Sequence, residues 1–137
     1  SLTGNALVSQ ELQERVRDLT DSFGSTFDIA EKDFDTFTAL AGSSPAYIYL
    51  FIEALAKAGV KNGIPKAKAL EIVTQTVLAS ANNLLASSQS PHDFIDAICS
   101  PGGTTIAGLL ELERLGLTAT VSSAIDKTID KAKQLQK

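Results

Sequence analysis

The chain has 137 residues, 44% hydrophobic and 20% charged, which is the balance of a globular domain rather than of a disordered segment. Its formal net charge of -4 argues against nucleic acid and against anionic membrane surfaces, because both attract clustered Lys and Arg. The single cysteine, Cys99, can form neither an internal disulfide nor a zinc site, which favours a reducing, cytoplasmic setting. The longest apolar run, at residues 47–52, is shorter than the ~20 residues of a membrane span.

Residues 1–32 differ in pattern from the rest of the chain. Ser9 is a candidate N-cap for a helix over residues 9–22, which Gly24 would end. Residues 25–29 form a candidate strand, because apolar and polar side chains alternate there. A lone strand needs backbone partners from elsewhere, so the pattern predicts the tail of an α/β domain whose body lies upstream. The sequence also contains no methionine, which predicts either that the chain begins at a cut end of a longer protein or that the start methionine has been removed.

From residue 33 onward the pattern is helical almost throughout. Glycines at 42, 63 and 116 are expected to end helices, and Ser-Pro pairs at 44–45 and 90–91 are expected to start them, with Ser43 as a second candidate cap. The sequence therefore predicts an all-α domain over residues 33–137. The expected helices span about residues 33–40, 45–61, 65–87, 91–99, 104–115 and 118–135.

The predicted helix over residues 45–61 has almost no polar face. A helix that is apolar on all sides must be buried on all sides, which a small monomer can hardly provide. Two interpretations follow: the helix lies in a subunit interface, or it is the central helix of a compact bundle. Glu53 and Lys57 are its only charges before Lys61. Glu53 is either a perturbed carboxylate or the partner of Lys57 or of a group across an interface.

Most motifs that carry catalytic chemistry are absent from the sequence. There is no GxGxxG, HExxH or CxxC segment and no Walker loop. His92 follows a proline at a predicted helix start, so it is either a surface residue or a base. Cys99 is either a small apolar filler or a group near a site, since it precedes a glycine-rich loop.

That loop is the segment SPGGTT at residues 100–105. Gly102 and Gly103 leave the backbone unobstructed, and the helix that follows begins with amide groups that have no partner inside the helix. The positive end of the helix attracts an anion, and Thr104 and Thr105 add hydroxyl groups at the same end. The segment predicts either a site for a small carboxylate or phosphate, or a simple turn followed by a threonine N-cap.

Several segments together resemble pyrroline-5-carboxylate reductase, the enzyme of the last step of proline synthesis. They are ALAGSSPAY at 39–47, EAL at 53–55, GVKNGIP at 59–65 and SPGGTTIAGL at 100–109, with SLTGN at 1–5 and SFG at 22–24. The resemblance implies a Rossmann domain followed by a helical domain that dimerises through interlocking helices. Residues 1–32 would then be a remnant of the N-terminal nucleotide-binding domain, and residues 33–137 the helical dimerisation and substrate-binding domain.

The resemblance also implies a site. The substrate carboxylate would be held by the backbone amides of Ser100, Gly102, Gly103 and Thr104, and the ring nitrogen would contact the hydroxyl of Thr105, the implied catalytic residue. The cofactor, NADPH or NADH, would be bound by the domain that this chain lacks. The resemblance therefore implies a cytoplasmic homodimer or assembly of dimers, and the chain alone is expected to be inactive.

The sequence departs from the usual pattern of the family at two places, and two alternative functions stay open. The family usually has glycine where Ser44 stands, and arginine where Lys131 or Lys133 stands. One alternative is a non-catalytic helical module for dimerisation or binding. The other is a helical domain from a reductase that acts on hydroxy acids, in which Lys57 or Lys61 would be catalytic.

Overall fold

The computed structural model describes residues 2–4 and 8–135; Ser1 and Asn5 of the SLTGN segment lie outside this part. Within it the fold is all-α, as predicted, and the helices are joined by short connections. The α-helices are α1 (Gln10–Asp21), α2 (Phe34–Phe37), α3 (Ser44–Lys61), α4 (Lys66–Leu85), α5 (Pro91–Ile98), α6 (Thr104–Arg114) and α7 (Leu117–Leu135). The chain divides into two compact units: residues 1–44 with 124–137, and residues 45–123.

Helix α1, in the first unit, begins where the sequence predicts. The Oγ of Ser9 accepts a hydrogen bond from the Leu12 amide at 3.3 Å, which satisfies one of the free amides at the helix start. The helix ends at Asp21 with Ser22 as its C-cap. Gly24 does not have a positive φ angle, so the prediction that it ends the helix is wrong.

The candidate strand at residues 25–29 is also wrong as a strand. Its backbone forms an isolated parallel bridge with Leu2: the Leu2 amide donates to the Phe27 carbonyl at 2.8 Å, and the Ile29 amide donates to the Leu2 carbonyl at 3.1 Å. Beside the bridge, Arg17 pairs with Asp28, and this hydrogen bond raises the pKa of Arg17. Two backbone bonds to one residue hold the segment extended without a sheet.

The chain is continuously helical over Glu31–Lys61, so Gly42 does not end a helix and Pro45 does not begin one. Both predictions are wrong because a π-helical turn, Thr38–Ser43, connects α2 to α3. A proline ring inside a regular α-helix clashes with the carbonyl four residues earlier, and a wider turn relieves that clash. Ser44 has φ -61° and ψ -23°, ordinary right-handed helical angles, so serine replaces the usual glycine without strain.

The same continuous helix is long and apolar enough, by length and composition, to cross a membrane. Little of its most apolar stretch is buried within the chain. The six-residue apolar run at 47–52 did not predict a helix of this length, because the helix extends upstream through Pro45.

In the second unit, α3 ends in a double hydrogen-bonded cap at the predicted glycine. Gly63 has φ +95°, which favours glycine. The Gly63 amide donates to the Val60 carbonyl at 3.0 Å, and the Ile64 amide donates to the Gly59 carbonyl at 3.0 Å. This is the Schellman arrangement, which satisfies the last carbonyls of α3 and turns the chain into α4.

Helices α3 and α4 approach closely through small side chains. Ala56 is fully buried and Ala69 is 2% exposed. A Cβ added to Gly59 would lie 3.0 Å from the Cβ of Ala69, so a larger residue there would press α3 against α4. Glu53 of α3 forms an ion pair with Lys66, the first residue of α4.

Large apolar side chains are not buried in the described part of the chain. The buried residues there are three alanines, Ala39, Ala56 and Ala69. On α3, Tyr49 is 70% exposed and Leu50 is 69% exposed. This exposure argues against the compact-bundle interpretation of α3 and favours the subunit interface, since apolar surface of this extent is normally covered.

Candidate functional site

Helix α5 fixes where the glycine-rich loop begins. Ser90 and Asp93 form a reciprocal capping box: the Ser90 Oγ accepts from the Asp93 amide at 3.3 Å, and the Asp93 carboxylate accepts from the Ser90 amide at 2.7 Å. Hydrogen bonds from the Ser90 hydroxyl and amide lower the pKa of Asp93. The helix ends as predicted at Cys99, whose amide donates to the Ile95 carbonyl at 2.9 Å.

The loop itself is a tight turn over residues 100–103. The Gly103 amide donates to the Ser100 carbonyl at 3.0 Å, with Pro101 and Gly102 between them. Gly102 has φ +68°, and proline followed by such a glycine is typical of a type II turn. Gly103 has an ordinary φ of -77°, but a Cβ there would lie 2.4 Å from the Ser100 Oγ. The two glycines are therefore required for different reasons: one for its backbone angle and the other for space.

Helix α6 begins immediately after this turn, with Gly103 at its N-cap position. Glycine has no side chain, and no side chain makes a cap hydrogen bond here, so the prediction of a threonine N-cap is wrong. In the described part of the chain, the amides of Gly102, Thr104, Thr105 and Ile106 donate to no protein acceptor. The start of α6 therefore presents a group of free donors at the positive end of a helix.

The predicted site residues are thus adjacent, but their backbone amides differ in hydrogen bonding. The Ser100 amide donates to the Ile98 carbonyl at 3.2 Å, and the Gly103 amide is used within the turn. The amides of Gly102 and Thr104 remain free for a ligand. Thr104 and Thr105 are exposed, and neither hydroxyl has a hydrogen-bond partner within the described residues. The arrangement can bind a small anion and offer it hydroxyl groups as well.

Glu53 is an ion-paired carboxylate. It forms ion pairs with Lys66 and with Lys57, the latter at 3.6 Å. The hydrogen bond from Lys66 lowers the pKa of Glu53, so the carboxyl group is held ionised. The predicted i,i+4 pair is confirmed, but the sequence analysis missed Lys66, which is 13 residues away in sequence. In the sequence, Gly63 and Pro65 mark the connection between α3 and α4, but neither indicates that Lys66 reaches Glu53.

The other candidates show no built site. His92 is exposed and Cys99 is a half-buried free thiol. Among the residues that the structure describes, no group of three or more His, Cys, Asp and Glu is placed to hold a metal ion.

A feature that the sequence analysis missed is a shallow apolar groove of about 240 Å³ formed by α4 and α5. Its lining is mainly apolar, and it ends at Ile98, two residues before the turn. The residues that line it are Ser80, Asn83, Leu84, Pro91, Phe94, Ile95 and Ile98. In the sequence, Phe94, Ile95 and Ile98 are spaced to lie on one apolar face of α5. No sequence feature indicates that other residues leave this face uncovered.

Comparison with known proteins gives the family. Residues 31–135 match the family described as pyrroline-5-carboxylate reductase dimerisation. The pyrroline-5-carboxylate reductase of Aquifex aeolicus is 44% identical over 135 residues, which are 98% of this chain and 51% of that protein. The enzyme of Escherichia coli strain K12 is 40% identical over 137 residues, which are 100% of this chain and 51% of that protein.

Solved structures agree with the sequence matches. The 1-pyrroline-5-carboxylate reductase of Streptococcus pyogenes has 95% identity and a TM-score of 0.90, covering 96% of this chain and 51% of that chain. The Plasmodium falciparum pyrroline carboxylate reductase, solved with NADP bound, has 38% identity and a TM-score of 0.90. The match covers 98% of this chain and 54% of that chain. The chain spans about half the length of these relatives. The match over most of the chain excludes the hydroxy-acid reductase alternative, and the chain belongs to the pyrroline-5-carboxylate reductase dimerisation family.

Proposed function

We propose that this chain is the substrate-binding and dimerisation part of an enzyme that reduces 1-pyrroline-5-carboxylate to L-proline with NADPH or NADH in the cytoplasm. The observation that carries the proposal is the group of free amides at the start of α6, in a chain of this family. A carboxylate suits such donors, because it accepts several hydrogen bonds and carries the charge that a helix N-terminus favours.

Within this site we assign different tasks to the predicted residues. The amides of Gly102 and Thr104 would bind the substrate carboxylate, while Ser100 and Gly103 would hold the turn that aims them. Thr105 would place its hydroxyl next to the ring nitrogen. Reduction of the carbon–nitrogen double bond adds hydride to carbon and a proton to nitrogen, so a hydroxyl at the nitrogen would orient the reacting bond.

The sequence contains no GxGxxG segment, the fingerprint that binds the pyrophosphate of a dinucleotide between a strand and a helix. We propose that a nucleotide-binding domain upstream of residue 33 holds the cofactor and that residues 1–32 are its end. The Plasmodium falciparum relative with NADP bound supports a nicotinamide cofactor.

The activity test compares this chain alone with the chain joined to the upstream domain of its natural protein. Loss of NADPH or NADH absorbance should depend on 1-pyrroline-5-carboxylate in the joined protein, and the chain alone should show none. The cyclic imine without a carboxylate, 1-pyrroline, is the matched control and should be a much poorer substrate. Turnover by the chain alone would contradict the cofactor assignment, and a folded but inactive joined protein would favour the non-catalytic module.

Membership of a dimerisation family supports homo-oligomerisation. We propose that the unit is a homodimer or an assembly of dimers, in which the exposed apolar residues of α3 are covered by a second copy. Sedimentation velocity at micromolar concentration should give at least a dimer. A well-folded monomer under those conditions would contradict this assignment.

A further inference from the structure

The π-helical turn before Pro45 has an unusual hydrogen-bonding problem. In such a turn each amide donates to the carbonyl five residues earlier, and the Ser44 amide does so to the Ala39 carbonyl. The next bond in the series would join the amide of residue 45 to the Leu40 carbonyl. Residue 45 is proline, which has no N–H group, so that backbone bond cannot form.

The Leu40 carbonyl is nevertheless paired. Its regular α-helical donor, the Ser44 amide, is already used by Ala39, but the Ser44 Oγ donates a hydrogen bond to the Leu40 oxygen. Serine side chains can make this bond to a carbonyl four residues earlier. One residue thus supplies two donors to adjacent carbonyls: its backbone amide to Ala39 and its hydroxyl to Leu40.

We propose that the hydroxyl of Ser44 replaces the amide donor that Pro45 lacks, and that its hydrogen bond to the Leu40 carbonyl holds the π-helical turn closed. The consequence is that the helix continues past the proline instead of ending there. The turn also contains Ala39, which is fully buried, so opening it would disturb the packing of its unit. Ser44 is therefore a positioning residue for the helix path.

Ser43 provides a matched control in the same turn. It is half-buried, as Ser44 is, but its hydroxyl has no hydrogen-bond partner within the described residues. The protein is compared in its native oligomeric state at one fixed concentration, because association shifts the melting temperature. Ser44→Ala should lower the Tm by about 2–6 °C, the shift that loss of one hydrogen bond produces in a domain of this size. Ser43→Ala should change it much less, and Ser44→Thr, which keeps the hydroxyl, should preserve most of the Tm.

The decisive test is a double-mutant cycle with Pro45→Ala. Alanine restores an N–H at residue 45, so the Leu40 carbonyl regains a backbone donor and the Ser44 hydroxyl becomes redundant. In the Pro45→Ala background, the Tm loss from Ser44→Ala should fall to that of Ser43→Ala. Hydrogen exchange should show the same pattern, with the amides of residues 39–44 opening faster in Ser44→Ala alone. An equal Tm loss from Ser44→Ala with proline and with alanine at residue 45 would overturn the proposal.

Discussion

Replacing Gly103 by alanine tests whether the turn before α6 is built around a missing side chain. The new Cβ would lie 2.4 Å from the Oγ of Ser100 and 3.0 Å from its carbonyl oxygen. The hydroxyl can rotate away, but the carbonyl belongs to the turn and can give only a few tenths of an ångström. Overpacking of this kind costs about 1–3 kcal/mol, while loss of glycine flexibility in the unfolded chain returns about 0.4–1 kcal/mol. The net loss is about 1 kcal/mol, or a Tm lower by about 3–5 °C.

The same displacement should weaken substrate binding. Moving the turn shifts the free amides of Gly102 and Thr104, and small misplacements of binding groups are costly. In the joined enzyme we expect Gly103→Ala to raise the KM for 1-pyrroline-5-carboxylate about tenfold, equivalent to about 1.4 kcal/mol. The kcat should change less, because the carboxylate is bound equally in the substrate and in the transition state.

Two further glycine variants separate space from backbone angle. Gly24→Ala is the control: its φ is not positive and nothing lies within 4 Å of the new Cβ, so both Tm and KM should be unchanged or slightly improved. Gly102→Ala has the same open space but φ +68°, and left-handed strain alone should cost about 1–2 kcal/mol.

The steric contact itself is measured by coupling Gly103→Ala to Ser100→Ala. Without the Oγ, the nearest Ser100 side-chain atom is the Cβ at 3.6 Å, an ordinary contact. The combined variant should therefore lose less stability than the sum of the two single variants. A Gly103→Ala enzyme indistinguishable from Gly24→Ala in both KM and Tm would refute the steric argument, whereas strict additivity would place the strain at the Ser100 carbonyl rather than at its hydroxyl.

Three other predictions concern Thr105, the α3–α4 contact and acid stability. Thr105→Ala in the joined enzyme should lower kcat at least tenfold with an unchanged Tm while Thr105→Ser retains activity, and unaltered kinetics would remove Thr105 from the site. Gly59→Ala forces its Cβ to 3.0 Å from Ala69 and should destabilise the protein by about 1–2 kcal/mol in urea unfolding, so an equally stable variant would show that the helices separate freely. The pKa of Glu53 is lowered from 4.5 in the folded state. Its ion pair with Lys66 therefore stabilises the folded protein at higher pH, and this stabilisation is lost as the pH falls below about 4.5. Glu53→Gln should therefore flatten the stability profile in that range, and an identical profile would contradict this.

Helix ends could be predicted wherever one residue type settles the backbone locally. Gly63 and Gly116 both have positive φ angles and end α3 and α6, and Ser90 caps α5. The prediction was wrong at Gly42 and Pro45, although the residue types are the same. There a π-helical turn absorbs the proline, and the Ser44 amide and hydroxyl donate to the carbonyls of Ala39 and Leu40.

The site could be predicted as a segment but not as a set of roles. A loop with two glycines before a helix indicates free amides, and the free donors do lie there. Which amides are free depends on how the turn closes: its internal bonds use Ser100 and Gly103 and leave Gly102 and Thr104. The partner of Glu53 was missed for a different reason. Lys66 is close only because the cap at Gly63 reverses the chain, and no helical periodicity encodes that contact.

The burial pattern connects the fold to the family. Alanines are the buried residues of the described chain, while Tyr49 and Leu50 of α3 stay largely exposed. Burying three alanines contributes far less than the several large side chains that stabilise an ordinary domain, since the hydrophobic contribution scales with the apolar area removed from water. A second copy is the proposed source of further apolar burial, since the chain belongs to a dimerisation family. In such an assembly folding and association are coupled, so the measured stability should rise with protein concentration.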